Sequence, residues 1–459
     1  MFIAELPYRE DSAGLFSHWS REPWAVFLDS NHSHTPQGRY DIIAVRPRTT
    51  LVTRGHLTEV RDGEGIRLSP EDPFCLVKQA LGETHAVESL PFSGGAIGFF
   101  SYDLARRLER LPSIARETES IPEMAVGIYD WAIVTDHRSK KSFLAGRDNT
   151  ATRAAWREIM TVLRQPRPRP AGGFRLHSAI RSDMSWPDYR HAFERIQHYI
   201  HEGDCYQVNF AQRFAALASG DPWRAYLDLR QTNPAPFGAF LRLPQLTILS
   251  SSPERFLKVR ESKVETKPIK GTRPRGMTPE EDFYLIEALS ESIKDRAENL
   301  MIVDLLRNDL SKNCRLGSVK VPKLFEVETF ATVHHLVSTV VGELEPGRHA
   351  LDLLRGCFPG GSITGAPKIR AMEIIEELEN SRRGVYCGSI GYIGFDGGMD
   401  TNIAIRTLVH ANNSIHFWAG GGIVADSDAR REYQESFDKA AALIQVLSKF
   451  QLASDRVGG

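Results

Sequence analysis

The sequence predicts an α/β protein with a strand-rich N-terminal third and a remainder in which helices and strands mix. Three observations carry this. Short apolar runs separated by turn residues fill the first third. Helix-period apolar patterns with capping signals fill much of the rest. Between them, Arg164-Gln165-Pro166-Arg167-Pro168-Arg169-Pro170-Ala171-Gly172-Gly173 reads as an exposed connector, because proline blocks helix and ladder bonding and glycine adds freedom. The organisation expected is therefore residues 1–165 followed by residues 174–450.

In chain order, Trp24–Leu28 and Ile42–Val45 read as short buried strands, with Asn31, Pro36 and Gly38 turning between them. Ala125–Val134 reads as one buried strand, and Ala151–Leu163 as a helix. Thr278-Pro279-Glu280-Glu281 is a helix start: Thr278 caps, Pro279 suits the first turn and Glu281 completes a capping box. Ile286, Leu289, Ile293, Ala297 and Leu300 then recur at helical spacing. Ile403 and Ile405 alternate with polar neighbours at strand period, and Asn412-Asn413 turns a hairpin into Ile415–Trp418. A last helix spans about Asp428–Phe450, with Tyr433, Phe437, Ala440, Ile444 and Leu447 on its apolar face.

Composition narrows the function. The 459 residues allow about three domains, or one large composite domain, by length alone. Lys plus Arg is 57 and Asp plus Glu is 58, for a net charge of −1, which argues against a general nucleic-acid binder. A hydrophobic fraction of 41% is too high for a disordered chain. No run of about 18 apolar residues predicts a membrane span, and Met1–Pro7 lacks the features of a signal peptide, so a cytoplasmic location is expected. Cys75, Cys205, Cys314, Cys357 and Cys387 are odd in number, sparse and without a CxxC pair. They read as small buried residues, not as disulfides or zinc ligands.

Several segments can carry chemistry. Gly360-Gly361-Ser362-Ile363-Thr364-Gly365-Ala366-Pro367-Lys368 half-matches a phosphate loop. Ala366-Pro367 stands where Lys-Ser/Thr belongs, so nucleotide hydrolysis is rejected and a small-residue turn feeding a helix remains, either plain or anion-binding. Gly420-Gly421-Gly422 reads as a flexible strand end or as a backbone surface that a carboxylate can approach. Glu432, Glu435 and Lys439 share one helix face, as a solvated stripe or as a Mg²⁺ site, and Glu298 in Lys294–Glu298 can add an acid. Lys270, in Pro268-Ile269-Lys270-Gly271-Thr272, must lose its proton to be a nucleophile. At an ordinary pKa of ~10.4 only roughly 0.04% is neutral at pH 7. His334-His335, His191, His198 and His201 lack a zinc-motif spacing.

Together, Ser252-Pro253-Glu254-Arg255-Phe256, Pro268–Thr272, Asp295–Leu305, Gly360–Lys368, Gly388-Ser389-Ile390-Gly391-Tyr392 and the triple glycine resemble the chorismate-utilising enzymes, in the same order. The resemblance is densest from about Trp186 to Leu443. The N-terminal third is similar to the accessory region of the large subunits of anthranilate synthase and aminodeoxychorismate synthase. The resemblance implies two antiparallel sheets packed as a sandwich with helices outside, the two regions interwoven around one core.

It also implies chemistry. Water-using members carry a lysine base where this chain has Gln207, so ammonia is the expected nucleophile. Members making anthranilate carry alanine where this chain has Lys270, whereas the branch that aminates chorismate at C4 has lysine. The implied reaction gives 4-amino-4-deoxychorismate for p-aminobenzoate and folate synthesis, with Lys270 as covalent nucleophile and Glu254 as proton-transfer group. Glu298 and Glu435, with Glu432 in support, are implied Mg²⁺ ligands. Arg406, Tyr392, Lys439 and the amides of Gly420, Gly421 and Gly422 are implied carboxylate binders, and Thr272 and His335 are implied ring contacts. No glutaminase cysteine elbow is present, so a heterodimer with a glutamine amidotransferase subunit is expected. The segment at Ser30 corresponds to where relatives bind tryptophan. The alternatives are an anthranilate synthase component I and a non-catalytic chorismate-binding subunit.

Overall fold

Asp130 divides what reads as one apolar strand into two, and the division builds the fold. Met124–Tyr129 and Trp131–Asp136 are separate strands of different sheets. The single polar residue between them takes the turn. Its carbonyl accepts from Arg147 N, and its carboxylate accepts from Asn149 Nδ2 at 3.0 Å. Every residue of both strands is buried, so each is covered on both faces and hydrophobicity alone does not separate them. The structure is a computed structural model that describes residues 1–31, 38–84, 89–166, 168, 172–330 and 333–451.

Among the described residues there are two large antiparallel sheets, of 13 and 12 strands. Each holds five strands from the N-terminal third, and the rest come from the C-terminal part. In the larger, Ala25–Asp29 pairs with Phe237–Arg242. In the smaller, Gly95–Phe100 pairs with Ser389–Gly394. One core lies between the sheets, with Val26, Ile42, Phe99, Ile248, Ile390 and Val409 from both. Three further cores join the outer faces to helices, the smallest placing Trp186–His201 and Lys368–Leu378 against Val208, Phe210 and Ile423. Pro73–Leu81, Ile293–Ser311 and Ala350–Cys357 cover the smaller sheet, and Thr150–Val162, Pro222–Thr232 and Ala429–Ser448 cover the larger. This is the sandwich with helices outside that the resemblance implies.

Local expectations hold in part. Strands at Ala25–Asp29 and Tyr40–Ala44, the helix Thr150–Val162 and the final helix Ala429–Ser448 lie within one or two residues of the sequence reading. Asn412 and Asn413 both take positive φ and turn Thr407–Ala411 into Ser414–Ile423. Pro36 of the first turn and residues 167 and 169–171 of the connector lie outside the described residues.

The continuous helical pattern from Ile286 to Leu300 is two helices, Pro279–Ser290 and Ile293–Ser311, because Ser292 caps the second by accepting from Asp295 N. Ile293 and Leu300 are exposed, and the buried face is Asn299, Ile302, Val303, Leu306 and Leu310. Thr278 caps as expected, but the Glu281 carboxylate reaches Met277 N rather than Thr278 N, so the box is half made. Residues 403–406 form no strand: Met399–Asn402 ends before them and Arg406 takes φ +48°. Cys75 is exposed, and the other four cysteines are buried free thiols.

Candidate active site

A cleft of about 790 Å³ opens where the glycine end of Ser414–Ile423 meets strands Ile269–Pro274 and Val333–Glu343 and helices Ile293–Ser311 and Ala429–Ser448. Lys270, Thr272, Glu254, Glu298, His335, Arg406, Gly420, Gly421, Gly422, Glu432, Glu435 and Lys439 all line it. Residues separated by up to 185 positions thus converge as the resemblance implies.

Lys270 and Glu298 face each other, Nζ to Oε1 at 2.9 Å, and Gln207 Nε2 donates to the same oxygen at 3.2 Å. Burial alone would raise the Glu298 carboxyl, but the Lys270, Lys439 and Lys294 ammonium groups outweigh it and hold it below the usual value. Gln207 is fully buried, with Oε1 unpartnered. The other two acids also lie beside lysines. Lys439 Nζ stands 2.7 Å from Glu435 Oε1 and donates to the Gly420 carbonyl. Lys294 Nζ is 4.0 Å from Glu432 Oε1. Burial pushes Glu432 up, and Glu435 adds to the effect against a hydrogen bond from Ser427.

The glycines leave room that side chains would take, against backbone at Gly420 and against the ends of side chains at Gly421 and Gly422. A Cβ on Gly422 would stand 2.1 Å from Gln207 Nε2 and 3.0 Å from Glu298 Oε1, and one on Gly420 would stand 2.0 Å from the Phe210 carbonyl oxygen. On Gly421 it would crowd Glu435 and Glu432 at 3.1 and 3.3 Å. Bare backbone lets the acids and the amide reach the strand.

Glu254 is buried, and burial pushes its carboxyl up to about 7, against Ser362, Lys270 and Lys439. It is therefore poised to give or take a proton near neutrality. Thr272 and His335 are cross-strand partners joined through Thr272 Oγ1 and His335 Nδ1 at 2.8 Å. Burial and then Arg406 push His335 down to about 4, so the ring is neutral at pH 7. Arg406 hydrogen-bonds Asn233 Oδ1 at 3.2 Å, and among the described residues no carboxylate pairs with it. A cleft-lining guanidinium without an acid is suited to an anionic ligand.

One residue expected at the cleft lies elsewhere, beside the position expected of a separate tryptophan pocket. Tyr392 does not line the cleft. The strand Ser389–Gly394 turns it toward Phe92, ring centroids 5.1 Å apart, into a separate crevice of about 80 Å³. Ser30 lines that same crevice, with its N and Oγ both bonded to Asp41 Oδ1 at 2.8 Å. The tyrosine in the cleft is Tyr386, buried and stacked on Trp418 with centroids 6.1 Å apart. Sequence reasoning chose the tyrosine inside the Gly388–Tyr392 motif. Tyr386 precedes that motif by two residues and carries no periodic signal. Arg383 and Trp418, also in the lining, were likewise not foreseen.

Residues 32–445 match the family model described as chorismate binding enzyme. The chain belongs to that family. Among chorismate-binding relatives, the aminodeoxychorismate synthase component 1 of Klebsiella aerogenes is 51% identical over 97% of this chain and 98% of its own length. That of Escherichia coli (strain K12) is 50% identical, with the same coverage. Anthranilate synthase component I from Streptococcus pneumoniae TIGR4 has the same architecture, with a TM-score of 0.81 at 34% identity, covering 88% of this chain and 92% of that one. Among the described residues no helix is long and apolar enough to cross a membrane.

Proposed function

We propose that this chorismate-binding enzyme aminates chorismate at C4 to give 4-amino-4-deoxychorismate, with ammonia supplied by a glutamine amidotransferase subunit. The near-full-length likeness to two proteins named aminodeoxychorismate synthase component 1 supports the reaction, and "component 1" supports a second component. The observation that carries the site assignment is Lys270, which meets Glu298 on the wall of a cleft that also holds Glu254. Lys270 first gives its ammonium proton to solvent and attacks C2 as the free amine, while the C4 hydroxyl leaves as water with a proton from Glu254. Ammonia then adds at C4, the lysine departs as the free amine, and Glu254 takes its proton back from the new C4 ammonium. One hard displacement becomes two easier ones. The attack requires the Lys270–Glu298 ion pair to open.

Arg406 and Lys439 hold the substrate carboxylates, with Tyr386 in the place expected of Tyr392. Thr272 and neutral His335 contact the ring substituents, and Gln207 leaves no base to activate water. Glu298, Glu432 and Glu435 fit Mg²⁺. They are hard oxygen donors, and the Glu432 carboxyl, raised by burial and further by Glu435, is one whose charge a cation would favour. Among the described residues no three groups form a closed metal cage, and Mg²⁺ commonly uses one or two carboxylates plus water and substrate oxygen. When bound, it would neutralise the ring carboxylate. The crevice at Ser30 and Tyr392 is proposed to take tryptophan, a reading that absence of calorimetric tryptophan binding overturns.

The test incubates the pure chain with chorismate, Mg²⁺ and ammonium and identifies the product. Aminodeoxychorismate is expected, and anthranilate with pyruvate refutes the reading. Lys270→Ala is expected to abolish the covalent adduct by mass spectrometry.

A further inference from the structure

The Gly360–Lys368 run half-matches a phosphate loop, yet in the fold it does something else. Gly361–Ile363 forms one short turn, and Ser362 at its centre is buried and donates from Oγ to Glu254 Oε1 at 2.7 Å. Among the described residues this is the one hydrogen bond made to the Glu254 carboxylate. The turn is fixed on several sides. A Cβ on Gly361 would stand 2.5 Å from Leu305 Cδ2, and one on Gly360 would stand 2.7 Å from Ile403 Cδ1, so the paired glycines let the turn press into the core. Asn209 Nδ2 donates to the Ser362 carbonyl at 2.8 Å. Arg383 Nη1 donates to the Ile363 carbonyl at 2.9 Å, and Arg383 is itself buried and paired with Glu379 at 2.6 Å. Thr364 Oγ1 closes the turn onto the Gly360 carbonyl.

The geometry points to Ser362 as a positioning residue that orients the Glu254 carboxylate for proton transfer, with the Gly360–Thr364 turn and buried Arg383 as its mount. A hydroxyl donor to a carboxylate favours the ionised form. Ser362 therefore works against the burial that pushes Glu254 up to about 7. The other groups facing Glu254 are Lys270 from strand Ile269–Pro274, Lys439 from helix Ala429–Ser448 and the Cys387 thiol before strand Ser389–Gly394. The lysines act through charge, and only Ser362 fixes direction.

The kinetic half of the test rests on the proposed amination, and the other half does not. Infrared titration of the ¹³C-Glu-labelled full chain without substrate, with Glu254→Gln to assign the band, reads the carboxyl directly. Ser362→Ala is expected to move its midpoint upward by about one pH unit, from the loss of a hydrogen bond to a charged group. Ser362→Thr restores the midpoint. Ser362→Cys, a weak donor of similar size, gives a smaller shift in the same direction and serves if the alanine variant does not fold. With chorismate and ammonium, Ser362→Ala is expected to lose kcat about tenfold with KM for chorismate unchanged, and the pH profile follows the infrared midpoint. An unmoved midpoint overturns the inference, as does a raised KM with intact kcat, which would make Ser362 a substrate contact. Failure of the unmodified chain to form aminodeoxychorismate refutes the function instead, and leaves the titration to decide this inference by itself.

Discussion

Replacing Glu254 with glutamine should make the protein more stable and less active, and the stability gain should appear only as pH rises. The carboxyl is buried at the cleft wall, and burial lifts it from the usual 4.5 to about 7 in the fold. Below pH 4.5 it is neutral both folded and unfolded and carries no pH-dependent penalty. Between 4.5 and 7 the unfolded chain ionises while the folded one holds its proton, so stability falls as pH rises. At ~1.36 kcal/mol for each pH unit, the full loss is about 3 kcal/mol by pH 8. Glutamine has no proton to lose and can still accept from Ser362. Equilibrium urea unfolding followed by tryptophan fluorescence from pH 4.5 to 8 should show the Glu254→Gln advantage growing by about 3 kcal/mol across that range. Ammonium-dependent amination should fall by about 10²–10⁴-fold, as expected for loss of a general acid–base group. A stability difference that stays flat with pH would refute the reasoning, because Glu254 would then titrate as an ordinary exposed acid.

Other outcomes follow from the same geometry. Gly422→Ala must displace Gln207 and crowd Glu298, so turnover should drop on the order of 100-fold in a product assay while thermal unfolding changes little. Arg406→Leu removes the cleft cation that has no carboxylate partner, and steady-state kinetics should show KM for chorismate rising on the order of 100-fold. Glu298→Gln should weaken Mg²⁺ binding at least tenfold by calorimetry, and chelation should abolish turnover of the unmodified chain reversibly.

Much of the site was legible because its residues sit in long motifs: Lys270, Thr272, Glu254, Glu298, Glu432, Glu435, Lys439 and the glycines all reach the cleft. Composition could not have found them. Glu432, Glu435 and Lys439 have the pattern of a solvated stripe, and packing of the last helix against Ser414–Ile423 buries Glu432 and leaves exposed Glu435 and Lys439 on the cleft wall. Tyr392 lies outside the cleft for the complementary reason. Motif membership suggests a place in the cleft, but strand alternation sends its ring between the sheets, while Tyr386 outside the motif lines the cleft. Ile293 and Leu300 fall on one helical period with Ile286 and Leu289 because periodicity counts residues and not helix breaks. Ser292 interrupts the helix and resets the phase. The division at Asp130 was hidden because strands buried on both faces show no alternation to mark where one sheet ends and the next begins.

The seam between N-terminal and C-terminal strands runs through the middle of both sheets. Cutting the chain at the Arg164–Gly173 stretch would therefore not release the catalytic two-thirds as a module. It would strip Ala25–Asp29 from Phe237–Arg242 and Gly95–Phe100 from Ser389–Gly394. Two rows of backbone donors and acceptors now inside the sheets would become raw edges, each long, largely apolar and ready to pair with another copy. The N-terminal third is part of the catalytic scaffold because it supplies the strands beside Phe237–Arg242 and Ser389–Gly394.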